Sequence, residues 1–252
     1  MQKRLSTEEK RNVRQTRKDK TTVPVVNRKA ANWGGSNGIG DFKLTESQSE
    51  LADKISNNTI TFIDSVAGTG KSLGTLYCFV REYLRDNTKR IIVIRTPVEA
   101  GGLDKLGFLP DDLASKVEPH FASTRRLLEQ LLNKGKVETD LDNRIFFKVP
   151  NFELGATWDN SLVFIDEAQQ LQPMIMKLLL ERIGVNTKVV VAGDSSQLYA
   201  MDASQRNGLK DALGRFFTVD KTPKFNEVAY HAFTVDDVQR SEIVKTVIRA
   251  YQ

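Results

Sequence analysis

Four short runs, Ile60–Ile63, Ile91–Ile94, Leu162–Ile165 and Val189–Ala192, are mostly β-branched or aromatic and lack the apolar/polar alternation of a half-exposed strand. Strands of that kind are covered on both faces, which predicts a mostly parallel sheet packed between helices. The intervening sequence supplies the helices. Leu73, Leu76, Tyr77, Val80 and Leu84 recur at helical spacing. Thr45 and Gln48 form a capping-box pair that opens a helix running to about Asn57. Ile145–Val149 and Val228–Phe233 are further strands, the first half exposed. The fold class is therefore α/β.

A chain of 252 residues with 40% apolar residues can bury one core and carry an extension. Residues 1–40 hold ten Lys/Arg against three acids, so the net charge of +5 comes from this stretch and the remainder is slightly acidic. Lys3, Arg4, Lys10, Arg11, Arg14, Arg17, Lys18, Lys20, Arg28 and Lys29 lie among polar neighbours that cannot form a core. A glycine-rich joint follows from Asn32 to Gly40. The expected division is a basic, disordered arm and joint over residues 1–41 and a folded domain over residues 42–252. Such an arm either meets the phosphate backbone of a nucleic acid or keeps the chain in solution. The single cysteine, Cys78, excludes an intrachain disulfide and a cysteine-rich zinc site. With nothing to argue for secretion, a reducing cytoplasm is the expected setting, and since no apolar run approaches the roughly 20 residues of a membrane span, no membrane partner is expected.

Chemistry concentrates at the ends of the apolar runs. Ser65-Val66-Ala67-Gly68-Thr69-Gly70-Lys71-Ser72 follows a strand and opens a helix, the context that makes a G-x-x-x-x-G-K-[ST] pattern credible. Gly68 and Gly70 let the loop wrap a phosphate, with backbone N–H groups and the positive helix end facing the anion. Lys71 is expected to reach the β and γ phosphates of ATP, and the Ser72 hydroxyl to ligate Mg²⁺. Ser65 stands where the pattern has its first glycine. The run Leu162–Ile165 ends abruptly in Asp166 and Glu167. Asp166 is the expected Mg²⁺ ligand and Glu167 the residue that orients and deprotonates the attacking water. After Val189–Ala192 comes Gly193-Asp194-Ser195-Ser196-Gln197, where Gln197 can hydrogen-bond the γ phosphate or the water, or merely belong to a turn.

Several of these segments together resemble the PhoH-like P-loop ATPases. The resemblance rests on Ala67–Ser72, on Arg95-Thr96-Pro97-Val98-Glu99-Ala100-Gly101, on Leu106–Pro110 and Lys116–Pro119, and on Ile165–Gln169, Arg182–Gly184, Gly193–Gln197, Asp237–Arg240 and Ala250-Tyr251. It implies a single RecA-like P-loop NTPase domain related to superfamily 1 helicases, with the Val189 strand between the P-loop strand and the Asp166 strand. It also implies hydrolysis coupled to binding, translocation or remodelling of single-stranded RNA or DNA, and a homo-oligomeric ring with a hexamer as the candidate size. Gln48 resembles the glutamine with which such helicases recognise adenine, although a capping box explains it equally well. Arg240 is the first candidate for a transition-state cation, supplied in cis or by a neighbouring subunit, with Arg95 and Arg182 after it. His120 and His231 are too few and too far apart for a metal site, and structural roles are expected. Trp33 and Phe42 could stack on bases or anchor the arm. The competing function is an ATP-controlled nucleic-acid or protein-binding switch without helicase activity.

Overall fold

The computed structural model describes Ile39 and residues 42–96, 110–153, 155–197 and 207–250. The basic arm with Trp33, most of the glycine joint, Pro97 to Leu109 and Tyr251 lie outside the described residues. The element order is α1 (Glu46–Asn57), β1 (Ile60–Asp64), α2 (Lys71–Arg85), β2 (Arg90–Arg95), α3 (Pro110–Leu132), α4 (Lys134–Asp140) and β3 (Ile145–Lys148). It continues with β4 (Ser161–Asp166), α5 (Pro173–Leu180), β5 (Lys188–Gly193), α6 (Gly208–Phe216), β6 (Val228–His231) and α7 (Glu242–Ala250). All four apolar runs are strands, and the capping box at the start of α1 forms with both of its hydrogen bonds.

The six strands pair in the order β3-β2-β4-β5-β1-β6, every pair parallel. This is a RecA-like P-loop fold, with β5 between β1 and β4 as the family resemblance implied. Side chains of one strand alternate between faces. Ile91 and Val93 enter one core with Leu51, Leu76, Phe79 and Phe164, whereas Ile92 and Ile94 enter a second with Trp158, Met176 and Leu209. Each face is thus sealed by helices, which is why polar alternation is missing from these strands. Deleting the ring of a fully buried core residue such as Phe164 is expected to cost about 3–5 kcal/mol.

The buried stripe of α2 is rotated from the expected one. Leu76 and Val80 are buried, Leu73 and Tyr77 only partly, and Leu84 is 41% exposed, while Phe79 and Tyr83 are completely covered. The first turn of α2 is clamped by the loop before it, with Lys71 already buried, so the helix presents the 76, 79, 80, 83 face. Periodicity set the pitch of the stripe, and the clamped end set its phase. Phe42 packs on Tyr77 at 5.7 Å between ring centroids, and Ile39 packs against the same core. At the far end of α2, the Tyr83 hydroxyl donates to Asp140, which also pairs with Lys136 at 2.7 Å. Arg144 stacks on the Tyr83 ring at 3.9 Å and donates to the carbonyls of Tyr83, Asp86 and Lys89.

Candidate nucleotide site

β1 ends at Asp64, and the chain then turns through Ser65–Gly70 into α2. Gly68 and Gly70 carry φ of 86° and 88°, left-handed values that a side chain would strain. Ser65 is not among the positive-φ residues, so the departure from the glycine pattern falls where the backbone does not require glycine. Its hydroxyl is 3.2 Å from Thr69 Oγ1, and Thr69 in turn donates to the Val66 carbonyl at 3.2 Å. Lys71 Nζ donates to the Ser65 carbonyl at 2.9 Å, curling back over the loop. The first N–H groups of α2 have no carbonyl one turn earlier to bond, and they open at this loop.

The other half of the site comes from neighbouring strand ends. Asp166, the last residue of β4, lies in register with Arg95, the last residue of β2. Arg95 reaches Asp166 Oδ2 at 3.5 Å and Glu167 Oε1 at 3.4 Å. Asp166 is 4% exposed, and burial pushes its pKa up. Arg95 and Lys71 pull it back and Glu167 adds to the rise, so the P-loop lysine and the β4 carboxylate act on one another electrostatically. Glu167 takes φ of 53°, an uncommon conformation for a residue with a Cβ. The turn carries the chain out of β4, and the carboxylate meets Arg95 on one oxygen and Gln169 on the other.

Gln169 has no role that its place in the sequence, two residues after Glu167, would suggest. It is completely buried, its Nε2 donates to Glu167 Oε2 at 2.7 Å, and its Oε1 accepts from the backbone N–H of Asp194 at 3.2 Å. One amide therefore ties the Glu167 carboxylate to the turn after β5. The turn is held from the other side by Asp64, which accepts from the Ser195 N–H at 2.8 Å and from its hydroxyl at 2.7 Å. Asp64 had an unused signal: like Asp166, it ends an apolar run in a carboxylate. Gln197 closes the turn with its N–H on the Asp194 carbonyl at 3.1 Å.

Two more expected residues meet at the loop. Gln48 is 2% exposed and accepts from the Thr45 N–H at 3.1 Å. Its amide lies against Gly70, so the cap and the approach to the loop coexist. Arg240 comes from the segment before α7, where the Gln239 N–H donates to the Gly68 carbonyl at 3.1 Å. A Cβ added at Gly68 would meet Arg240 Cγ at 3.2 Å, which puts this arginine beside the P-loop of its own chain. Arg182 stands elsewhere: its backbone bonds to Trp158, before the start of β4, at the opposite end of the strands. His231 is buried on β6, 3.4 Å from both Ser47 Oγ and Lys54 Nζ, and burial with Lys54 lowers its pKa to about 4. Burial pushes the Cys78 thiol up to about 12, far from the range of a reactive thiolate.

A glycine loop between strand and helix, with two carboxylates at the end of a nearby strand, is an arrangement shared by many P-loop proteins. A family model described as "PhoH-like protein" matches residues 42–252. The chain belongs to the PhoH-like family. This PhoH-like chain is 32% identical over 207 residues to a "PhoH-like protein" of Synechocystis sp., covering 81% of this chain and 60% of that one. It is 31% identical over 208 residues to a "PhoH-like protein" of Bacillus subtilis, covering 82% and 62%. It thus spans about 60% of the length of these relatives. Among solved structures, the large terminase of a thermophilic bacteriophage shares the fold with a TM-score of 0.50 and 10% identity, covering 84% of the PhoH-like chain and 51% of the terminase.

Proposed function

We propose that this PhoH-like domain binds ATP with Mg²⁺ and hydrolyses it, and that hydrolysis is coupled to single-stranded RNA or DNA. The observation that carries the reading is the convergence of Lys71, on the glycine loop, with Asp166 and Glu167 across the β1-β5-β4 strand ends. The family membership and the shared fold of the phage terminase, also solved in complex with ADP, support it. The donor set suits Mg²⁺, which takes one or two carboxylates and fills its remaining positions with phosphate oxygens and water. Asp166, buried and carrying a raised pKa, is a carboxylate whose ionised form gains from a nearby cation. Ser72 and Asp166 would hold the ion.

When bound, Mg²⁺ held by Ser72 and Asp166 would supply positive charge that offsets the negative charge of the phosphates. Residues Ser65 to Ser72 wrap the phosphates with backbone N–H groups, and Lys71 exchanges its bond to the Ser65 carbonyl for phosphate oxygens. Glu167, held between Arg95 and Gln169, accepts a proton from water as the water oxygen attacks the γ phosphorus. The bond from that phosphorus to the bridging oxygen breaks, and ADP leaves with the electron pair. Gln197 senses the γ phosphate or the water, Arg240 offsets transition-state charge beside Gly68, and Gln48 reads the adenine near Gly70. The basic composition of residues 1–41 supports the nucleic-acid partner, and the chain assembles with copies of itself into a ring.

The test compares two substitutions in nucleotide-binding and turnover assays. Lys71→Ala is expected to weaken ATP binding at least about a hundredfold. Glu167→Gln should retain binding and lose about 10²- to 10⁴-fold in turnover. Equal loss of binding in both would refute the assigned roles. Turnover that ignores single-stranded RNA and DNA, with or without residues 1–41, would favour the ATP-controlled switch over a nucleic-acid motor.

A further inference from the structure

Two surfaces of the domain have no role in the nucleotide site, an exposed apolar helix face and an apolar groove. The first is α7. Its nine residues carry Ile243, Val244, Val247 and Ile248, an apolar stripe along one side, yet no residue of the helix is buried. Ile243 is 67% exposed and Val247 50%. The opposite side of the helix is charged, with Glu242, Lys245 and Arg249. A short helix with a strong apolar stripe loses little by leaving the surface and gains by covering that stripe.

The second surface is a cavity of about 890 Å³ between α5 and α6, lined also by Ile60 and Phe225. Its walls include Met174, Leu180 and Phe216, and Met174 and Phe225 are 62% and 53% exposed. Its rim carries two ion pairs, Lys177–Glu181 at 3.6 Å and Arg215–Asp211 at 2.6 Å. Each rim cation is matched by a carboxylate, so the groove does not attract a polyanion. An apolar lining bordered by both charge signs instead suits an amphipathic helix with mixed charges on its outer side.

The two surfaces cannot meet within one molecule as folded. The start of α7 follows Arg240, which rests beside Gly68, and its end is held by Arg249 on Asp236 at 3.1 Å, just beyond the end of β6. Both tethers lie where the parallel strands end, whereas Ile60 and Phe225 lie where β1 and β6 begin.

We infer that α7 of one copy docks its Ile243/Val247 stripe into the α5–α6 groove of a second copy. The contact joins unlike faces, so repetition builds a closed ring or an open filament rather than a two-fold dimer. It rests on the self-assembly proposed above and names the surfaces that make it. A nine-residue helix covers less than the roughly 800 Å² per partner of a standard interface, so association through one contact is weak and concentration-dependent. Because Gln239 bonds to Gly68, the docked helix is connected directly to the loop proposed to hold phosphate.

Sedimentation of the full chain over a concentration series, with and without ATP, tests this together with two surface variants. Val247→Asp and Met174→Asp should each weaken self-association at least about tenfold. An equimolar mixture of the two should form dimers that grow no further, since only one good helix and one good groove remain. As a check independent of variant folding, Val247→Cys in one population and Met174→Cys in another should cross-link on oxidation. The fully exposed Val219→Cys should not replace either partner. Wild-type assembly that survives both aspartates, or cross-linking no better than the Val219 control, overturns this interface and leaves self-assembly standing. A wild-type chain that stays monomeric under all conditions overturns both.

Discussion

Asp140 and Asp166 are each 4% exposed, yet the fold treats them oppositely. Burial raises both, but at Asp140 the bonds from Lys136 and the Tyr83 hydroxyl, with the Arg144 charge, reverse the effect and leave its pKa lowered. Around Asp166 the pull of Arg95 and Lys71 does not outweigh burial and the neighbouring Glu167, and its pKa stays raised. The first aspartate is a satisfied brace between α2, α4 and the start of β3. The second is a buried charge with incomplete compensation, at the strand ends where an incoming cation would complete it. Scaffold and site thus differ in how fully their buried charge is answered, and the site carboxylate also lies under more of the protein than the brace does.

The sharpest way to break this contrast is Asp166→Asn. On the proposed reading it should lower Mg²⁺-dependent hydrolysis at least about a thousandfold. It should also stabilise the nucleotide-free protein by about 1 kcal/mol, or roughly 2–4 °C in Tm, because a poorly compensated charge is removed. Thermal melts and turnover on the same preparation check both, and a fall in Tm would contradict the raised proton affinity of this group.

Asp140→Ala should do the reverse. It strands the buried Tyr83 hydroxyl and unpairs Lys136, for about 2–3 kcal/mol of lost stability by denaturant titration. Turnover per folded molecule should be unchanged. A smaller effect is expected from Gln169→Ala, which frees Glu167 and the turn at Asp194 from their shared amide. Turnover should drop about ten- to a hundredfold with ATP affinity retained. Equal losses in both would make Gln169 a plain core residue.

The mildest effect is a pH dependence. His231 has its proton affinity lowered from 6.5 to about 4, so between those values the unfolded chain binds a proton that the native chain refuses. Stability is therefore lost as pH falls from about 6.5 to about 4, by about 1–3 kcal/mol. His231→Gln should flatten that part of the stability profile. Asp140, lowered, contributes stability that goes at still lower pH, while protonating Asp166 as pH falls relieves strain rather than adding it.

Most of the sheet was legible because strands sealed on both faces leave an unmistakable pattern, and the capping pair Thr45/Gln48 is a local code. The loop was legible for the same reason: Gly68 and Gly70 are required by backbone conformation at their own positions. The phase of α2 was not, since Leu84 has the right spacing and is exposed while Tyr83 is buried. That choice belongs to the clamp at Lys71. The grip of Arg95 on Asp166 and Glu167 depends on β2 lying beside β4 in register, 71 and 72 residues away in the chain.

What the amino-acid order determined by itself is therefore the local chemistry: which segments become strands, where the backbone turns left-handed, and which polar residues end each run. Tertiary structure alone decided the couplings, because Gln169 meeting Asp194 and Arg240 meeting Gly68 require segments far apart in the chain to arrive at one end of one sheet. Dihedral preference and apolar pattern act over a few residues, whereas electrostatic compensation and packing depend on whatever the fold brings within a few ångströms.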